Sequence, residues 1–126
     1  MSLVGIGTDL VQLTRIQDLL ERYGERFVSR ILSEEERKLF TTTLPTVAYL
    51  AKRFAGKEAV SKALGTGIGK VLSFQDISIL NHPTGQPFVT LHGNGKALAD
   101  QLKVSQIMIS LSDEKDYALA FVVTSR

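Results

Sequence analysis

Apolar residues keep helical spacing longest between Thr46 and Gly65, where Val47, Ala51, Phe54, Ala55 and Ala59 share one face at about 100° per residue. This spacing predicts a long helix over 46–65. Glu58 and Lys62 fall near the middle of the same face. A buried, unpaired carboxylate or ammonium costs on the order of several kcal/mol, so the two charges must pair, bind an ion or line a wet cleft. The plainer alternative is an i,i+4 pair on an exposed face, worth roughly 0.3–0.5 kcal/mol. Val60 and Leu64 make the opposite side apolar as well, which predicts a helix packed on both flanks and weighs against that alternative.

The rest of the chain divides around this helix. Residues 3–11 set Val4 and Ile6 against Gly5 and Gly7, the pattern of a strand whose glycines let a backbone or a ligand come close, with Asp9 ending it as a cap, a turn former or a site carboxylate. Helical spacing returns from Arg15 through Ile16, Leu20, Tyr23 and Phe27, broken or bent at Gly24. If that helix is continuous, Arg15, Arg22 and Arg26 lie within about 40° of one another as a narrow basic stripe, which Glu21 and Glu25 dilute. Ser33 and Glu36 form a capping box at the start of a short helix through Phe40, and a loop over 41–45 follows. Gly65 closes the long helix as its C′ glycine.

Residues 71–80 and 87–91 read as one hairpin, 93–102 as a short helix on Ala97, Leu98 and Leu102, and 107–111 with 117–124 as a second hairpin. The expectation is an α+β fold, a single domain over 1–126 with one long central helix packed on an antiparallel β-sheet. Gly56 inside the long helix costs about 1 kcal/mol against Ala, and close packing of another chain is the expected reason.

Composition removes several classes of chemistry. There is no Cys among the 126 residues, so neither a disulfide framework nor a thiolate metal site is possible. No run approaches the ~18 apolar residues of a membrane span, and the N-terminus lacks the pattern of a signal peptide, so a cytoplasmic protein is expected. A net charge of +2 favours anionic partners but is too small a margin to imply nucleic acid. His82 and His92 are the only histidines and stand apart, which leaves covalent catalysis and zinc without support. The loop over 66–70 superficially resembles a phosphate-binding loop, but it follows its helix instead of opening one, and Val71 stands where a magnesium-holding hydroxyl belongs.

Carboxylates and cations remain. Asp9 and Glu58 offer hard oxygen ligands from two separate elements, which suits a magnesium ion seated on a diphosphate. Lys62, one turn beyond Glu58, would reach the same phosphates as a point charge. The residues therefore predict magnesium-assisted phosphoryl transfer by positioning and electrostatics, with no covalent enzyme intermediate. Two alternatives stay open on these residues: a non-catalytic basic module using Arg15, Arg22, Arg26 and Arg30, and a magnesium-dependent phosphohydrolase.

Gly5-Ile-Gly-Thr-Asp9 with Arg15 six residues on, and Arg53-Phe-Ala-Gly-Lys-Glu-Ala59 with Lys62 and Gly65-Thr-Gly-Ile-Gly69, resemble the holo-acyl-carrier-protein synthases, a small group of 4′-phosphopantetheinyl transferases. Residues 73–76 and Gly85-Gln-Pro87 follow in the order that group shows, so the resemblance spans the chain. It implies transfer of the 4′-phosphopantetheine arm from coenzyme A to a serine of apo acyl carrier protein, with release of adenosine 3′,5′-bisphosphate, in support of fatty acid biosynthesis. On matching positions it implies that Asp9 and Glu58 hold Mg2+, that Glu58 helps deprotonate the serine, and that Lys62 stabilises the diphosphate. It further implies that Arg53, Gly65, Gly85 and Pro87 form the nucleotide slot, and that Arg15, Arg22 and Arg26 meet the acidic helix of the carrier. A homotrimer with active sites between subunits is implied too, with neither nucleic acid nor membrane as partner. One departure stands out: many members carry a His after a Ser-x-Ser pattern on the penultimate strand, whereas here Asp113 follows Ser110-Leu-Ser112. Ser112, Lys115 or Arg53 would then anchor the nucleotide on that side.

Overall fold

The computed structural model describes residues 2–126. In chain order the elements are β1 (Leu3–Gln12), α1 (Leu13–Tyr23), α2 (Glu25–Ile31), α3 (Glu34–Arg37), α4 (Val47–Ala63), β2 (Ile77–Asn81), β3 (Pro87–Leu91), α5 (Gly93–Leu102), β4 (Gln106–Asp113) and β5 (Tyr117–Ser125), with a single 3-10 turn over Phe74–Asp76. Strands β1, β5 and β4 form one antiparallel sheet in that order, and β2 pairs with β3 as a separate hairpin.

The central helix α4 begins where Thr46 Oγ1 accepts a hydrogen bond from the Tyr49 amide at 3.1 Å, so Thr46 is its N-cap rather than its first turn. Gly65, at φ +85°, takes the left-handed position just past its end, as expected. Leu50, Ala51, Phe54, Ala55, Ala59, Val60 and Ala63 are all buried, so α4 is apolar on more than one side. The charges reverse one expectation. Glu58 is half-buried and Lys62 exposed, whereas the charges taken out of solvent along α4 are Arg53 and Lys57.

Strand β1 lies against the C-terminal half of this helix because it has no side chains in the way. A Cβ on Gly5 would strike the Ala63 carbonyl oxygen, and one on Gly7 the Ala59 carbonyl oxygen. Thr124 on β5 donates from Oγ1 to the same Ala63 carbonyl at 3.3 Å. Asp9 does not end the strand. The alternation continues through Leu10 and Val11, with Val11 buried, so pairing with β5 runs on to Gln12 opposite Tyr117.

Ala118, Ala120 and Val122 on β5 are buried under α4, while their alternates Leu119 and Phe121 point to the opposite face, where Ile6, Leu10 and Met108 are also exposed. Ile6 and Leu10 keep 64% and 61% of their surface open.

Gly56 is crowded by this chain itself, not by another. A Cβ there would lie 2.5 Å from Ile79 Cδ1 and 3.2 Å from Leu111 Cδ2, where both sheets converge on the helix. The first hairpin starts later than residue 71, because Ser73 donates from its amide to Asp76 Oδ2 at 3.0 Å and closes the 3-10 turn that occupies 74–76. The capping box at Ser33 and Glu36 is present, although α3 ends at Arg37 instead of Phe40. On α5 the buried residues are Gly95 and Ala99, and Ala97 faces solvent. No helix among the described residues is long and apolar enough to cross a membrane.

Candidate active site

Asp9 sits in the middle of β1 opposite Ala120, on the side of the sheet that α4 covers. From the last turn of α4, Lys62 Nζ donates to Asp9 Oδ1 at 3.1 Å and to the Thr8 carbonyl at 2.9 Å. An ammonium carries three N–H donors, so this geometry leaves one for a ligand, and the side chain is 50% exposed. Glu58 stands one turn before Lys62. Burial pushes its carboxyl pKa up, the like charge of Asp9 pushes it further, and Lys62 and Arg15 pull it back.

Arg15 completes the group from α1, its guanidinium carbon 5.2 Å from the centre of the Phe54 ring. Two carboxylates, one ammonium and one guanidinium therefore meet at the junction of β1, α1 and α4. Among the described residues no group of three or more His, Cys, Asp or Glu side chains converges anywhere. Two carboxylate ligands from the protein are nevertheless a fitting donor set for magnesium, which keeps waters and takes phosphate oxygens for its other positions.

Beside Glu58 opens a groove of about 520 Å³ whose walls are Leu19, Tyr23, Phe27, Phe54 and Phe74, with Arg26 and Arg30 at hand. A second cavity of about 460 Å³ shares Leu19 and is lined by Arg15 and Arg22. The basic stripe is thus not one straight row. Gly24, at φ +57°, ends α1 and starts α2 in a new direction, and this sends Arg26 to the apolar groove and Arg15 and Arg22 to its neighbour. The aromatic walls were missed in the sequence, where Phe27 and Phe54 read as ordinary core positions.

The other predicted residues lie elsewhere in the chain. Arg53 is 3% exposed, donates to Asn81 Oδ1 at 2.5 Å and stacks 4.3 Å over the Tyr49 ring. Asn81 in turn donates to the Gly85 carbonyl at 2.8 Å and pairs with Pro87 across the hairpin, so Arg53, Gly85 and Pro87 form one cluster. Five residues separate Arg53 from Glu58, which turns them about 140° apart around α4. Among the described residues no hydrogen bond or ion pair joins this cluster to Asp9, Glu58 and Lys62. Gly65 stays with Lys62, whose carbonyl accepts from its amide at 3.0 Å. Ser112 is exposed on the outer face of β4, and Asp113, on the inner face, pairs with Lys52 at 3.1 Å.

Comparison with known proteins bears on the family and the fold. A family model described as the 4′-phosphopantetheinyl transferase superfamily matches residues 5–122. The holo-[acyl-carrier-protein] synthase of Vibrio campbellii is 46% identical over 123 residues, which covers 98% of each chain. The crystal structure of the Neisseria meningitidis holo-[acyl-carrier-protein] synthase superposes with a TM-score of 0.92 at 42% identity, covering 99% of this chain and all of that one. The Helicobacter pylori synthase, solved in complex with coenzyme A, gives a TM-score of 0.83 at 38% identity over 95% of this chain and 99% of its own.

Proposed function

The chain belongs to the 4′-phosphopantetheinyl transferase superfamily, and from that premise we propose how its residues perform the reaction of a holo-[acyl-carrier-protein] synthase. The enzyme transfers the 4′-phosphopantetheine arm of coenzyme A to a serine of apo acyl carrier protein. The observation that carries the mechanism is the meeting of Asp9, Glu58 and Lys62, one base of raised pKa beside one fixed ammonium.

In this reading the serine oxygen attacks the phosphorus that bears the pantetheine arm. The bond from that phosphorus to the bridging oxygen breaks, and its electron pair leaves with adenosine 3′,5′-bisphosphate. Glu58 takes the serine proton, directly or through a water, and its raised pKa brings it nearer to what a base working at neutral pH requires. Lys62, with one N–H not used by Thr8 or Asp9, donates to a diphosphate oxygen as negative charge collects there. Asp9 and Glu58 would also hold Mg2+, which when bound neutralises diphosphate charge.

The carrier approaches from the arginine side. Arg15, Arg22 and Arg26 offer positive charge to an acidic helix, and the apolar groove between Arg26 and Glu58 gives that helix a place to bury side chains. Arg53, Gly85 and Pro87 serve the nucleotide, and their separation from Glu58 in one chain is why we assign them to a neighbouring subunit's site. The exposed apolar face of the three-stranded sheet supports a homotrimer, since a patch of Ile6, Leu10, Leu119 and Phe121 is better covered than wet. Ser112 lies on that same face and would reach the site across the interface. The product, a holo carrier, is what fatty acid synthesis requires.

The test is direct. Incubation with coenzyme A, magnesium and an apo acyl carrier protein is expected to raise the carrier's mass by that of phosphopantetheine, and to leave it unchanged when magnesium is chelated. Hydrolysis of coenzyme A with no gain on the carrier would refute the reading.

A further inference from the structure

Lys57 is the largest side chain wholly removed from solvent, and nothing in the transfer chemistry uses it. Its ammonium donates to Glu36 Oε1 at 2.6 Å, to the Ile31 carbonyl at 2.6 Å and to the Phe74 carbonyl at 3.1 Å. Three acceptors meet its three N–H bonds; burial pushes its pKa down, and the Glu36 carboxylate pulls it back up. Glu36 is equally buried and equally satisfied: Oε1 also accepts from the Ser33 amide at 2.8 Å, and Oε2 accepts from the Ile79 amide at 2.7 Å. The elements so joined are those that wall the groove beside Glu58. Ile31 is the last residue of α2, which supplies Arg26, Phe27 and Arg30; Phe74 opens the 3-10 turn and is itself a wall; and α4 supplies Phe54 and Glu58.

We propose that the Lys57–Glu36 pair is a positioning device that sets the width of the groove in which the carrier protein docks. The inference rests on the transferase reading above and assigns the pair a task within it. Fold stability alone does not call for an ion pair here, because buried pairs are often replaced by apolar groups at no loss. What an apolar substitute does not supply is directed bonds to two carbonyls on separate elements. Without them α2 and the 3-10 turn are free to shift against α4 by the few tenths of an ångström that decide how Phe54 and Phe74, now 5.4 Å apart, meet a partner.

The test compares the unmodified protein with the double variant Lys57→Met/Glu36→Gln, which removes both charges at nearly constant volume and keeps one amide oxygen to accept from one of the two backbone N–H groups that Glu36 serves. Binding of apo carrier by titration calorimetry needs no turnover and is expected to weaken at least tenfold, while KM for coenzyme A stays within twofold. A folded variant that binds carrier as the unmodified protein does would overturn the proposal, as would an equal loss toward both substrates. If the double variant does not fold, Glu36→Gln alone is expected to weaken carrier binding about threefold with KM for coenzyme A unchanged, and unaltered carrier binding in it would equally overturn the proposal. The functional reading fails by a different result, namely an unmodified protein that binds the carrier and transfers nothing to it.

Discussion

Lys62 Nζ lies 3.1 Å from Asp9 Oδ1, joining residues 53 positions apart in sequence and fixing the last turn of the central helix to the middle of the first strand. The pair is half open to water on the lysine side, so its contribution to stability is small, roughly 0–1 kcal/mol. Its worth is geometric: an ammonium already bonded to Asp9 and Thr8 needs no further ordering when a diphosphate arrives.

Lys62→Ala should therefore separate stability from activity. We expect a loss of about 1 kcal/mol or less in urea unfolding, against a fall in kcat on the order of 10²-fold, the scale on which removal of one charge-stabilising donor is felt. Denaturant titration and steady-state transfer to apo carrier measure the two. A parallel loss in both would mean that the lysine is only a structural tie.

Glu58→Gln should act in the opposite direction on stability. Because burial and Asp9 raise the folded-state pKa of Glu58, the folded protein binds a proton there more readily than the unfolded chain does. Stability from this group is therefore greatest below its ordinary value of 4.5 and declines as pH rises through the folded pKa. In the absence of magnesium, the glutamine variant should melt at a higher temperature than the parent at pH 7, with the gap closing by about pH 4. Transfer should be nearly abolished, since the amide cannot take the serine proton and, being neutral, is a weaker ligand for a cation. Scanning calorimetry across pH, with a transfer assay alongside, tests both limbs.

Gly7→Ala asks how closely strand and helix must approach. The new Cβ would run into the Ala59 carbonyl, a backbone atom that can yield only by moving α4 off the sheet, and overpacking of that kind costs about 3 kcal/mol. At Gly65, where a Cβ would meet nothing within 4 Å, the cost of alanine is confined to its φ of +85°, about 1 kcal/mol. Unfolding midpoints of the two variants should differ accordingly, and equal midpoints would contradict the close contact.

The pattern of the chain carried much of this site and failed at identifiable points. Glu58 and Lys62 stood out because helical periodicity makes a charge on an apolar face visible, and Gly5 and Gly7 because alternation makes a missing side chain visible. Lys57 did not stand out, since its partner Glu36 lies 21 residues away and already had a local explanation as a capping-box acid; its second oxygen, bonded to Ile79, is a tertiary fact. The basic stripe was drawn as one line because periodicity assumes a straight helix, and a glycine at φ +57° removes that assumption. The tie of Arg53 to the first hairpin was not legible, because no local rule links it to Asn81, 28 positions away.

The outer face of the three-stranded sheet makes the last prediction. Phe121 lies at the centre of β5, between Thr8 on β1 and Ser110 on β4, and 42% of its surface is open. Neighbouring Leu119, Leu10 and Ile6 extend the same apolar face, which a monomer would leave in water. Glutamate at 121 projects away from α4 and the core, so it should leave the fold intact while burying a charge in any subunit contact made through this face. We expect the parent to sediment as a trimer and Phe121→Glu as a monomer that keeps a native circular dichroism spectrum and loses transfer activity by more than tenfold. Activity should go with assembly because Glu58 and Lys62 on one side of α4, and Arg53 with Gly85 on the other, do not meet within one chain. A monomeric variant with full activity would show that a single subunit suffices, and the nucleotide-binding role of Arg53 would then have to be reassigned to groups near Lys62 such as the loop after Gly65.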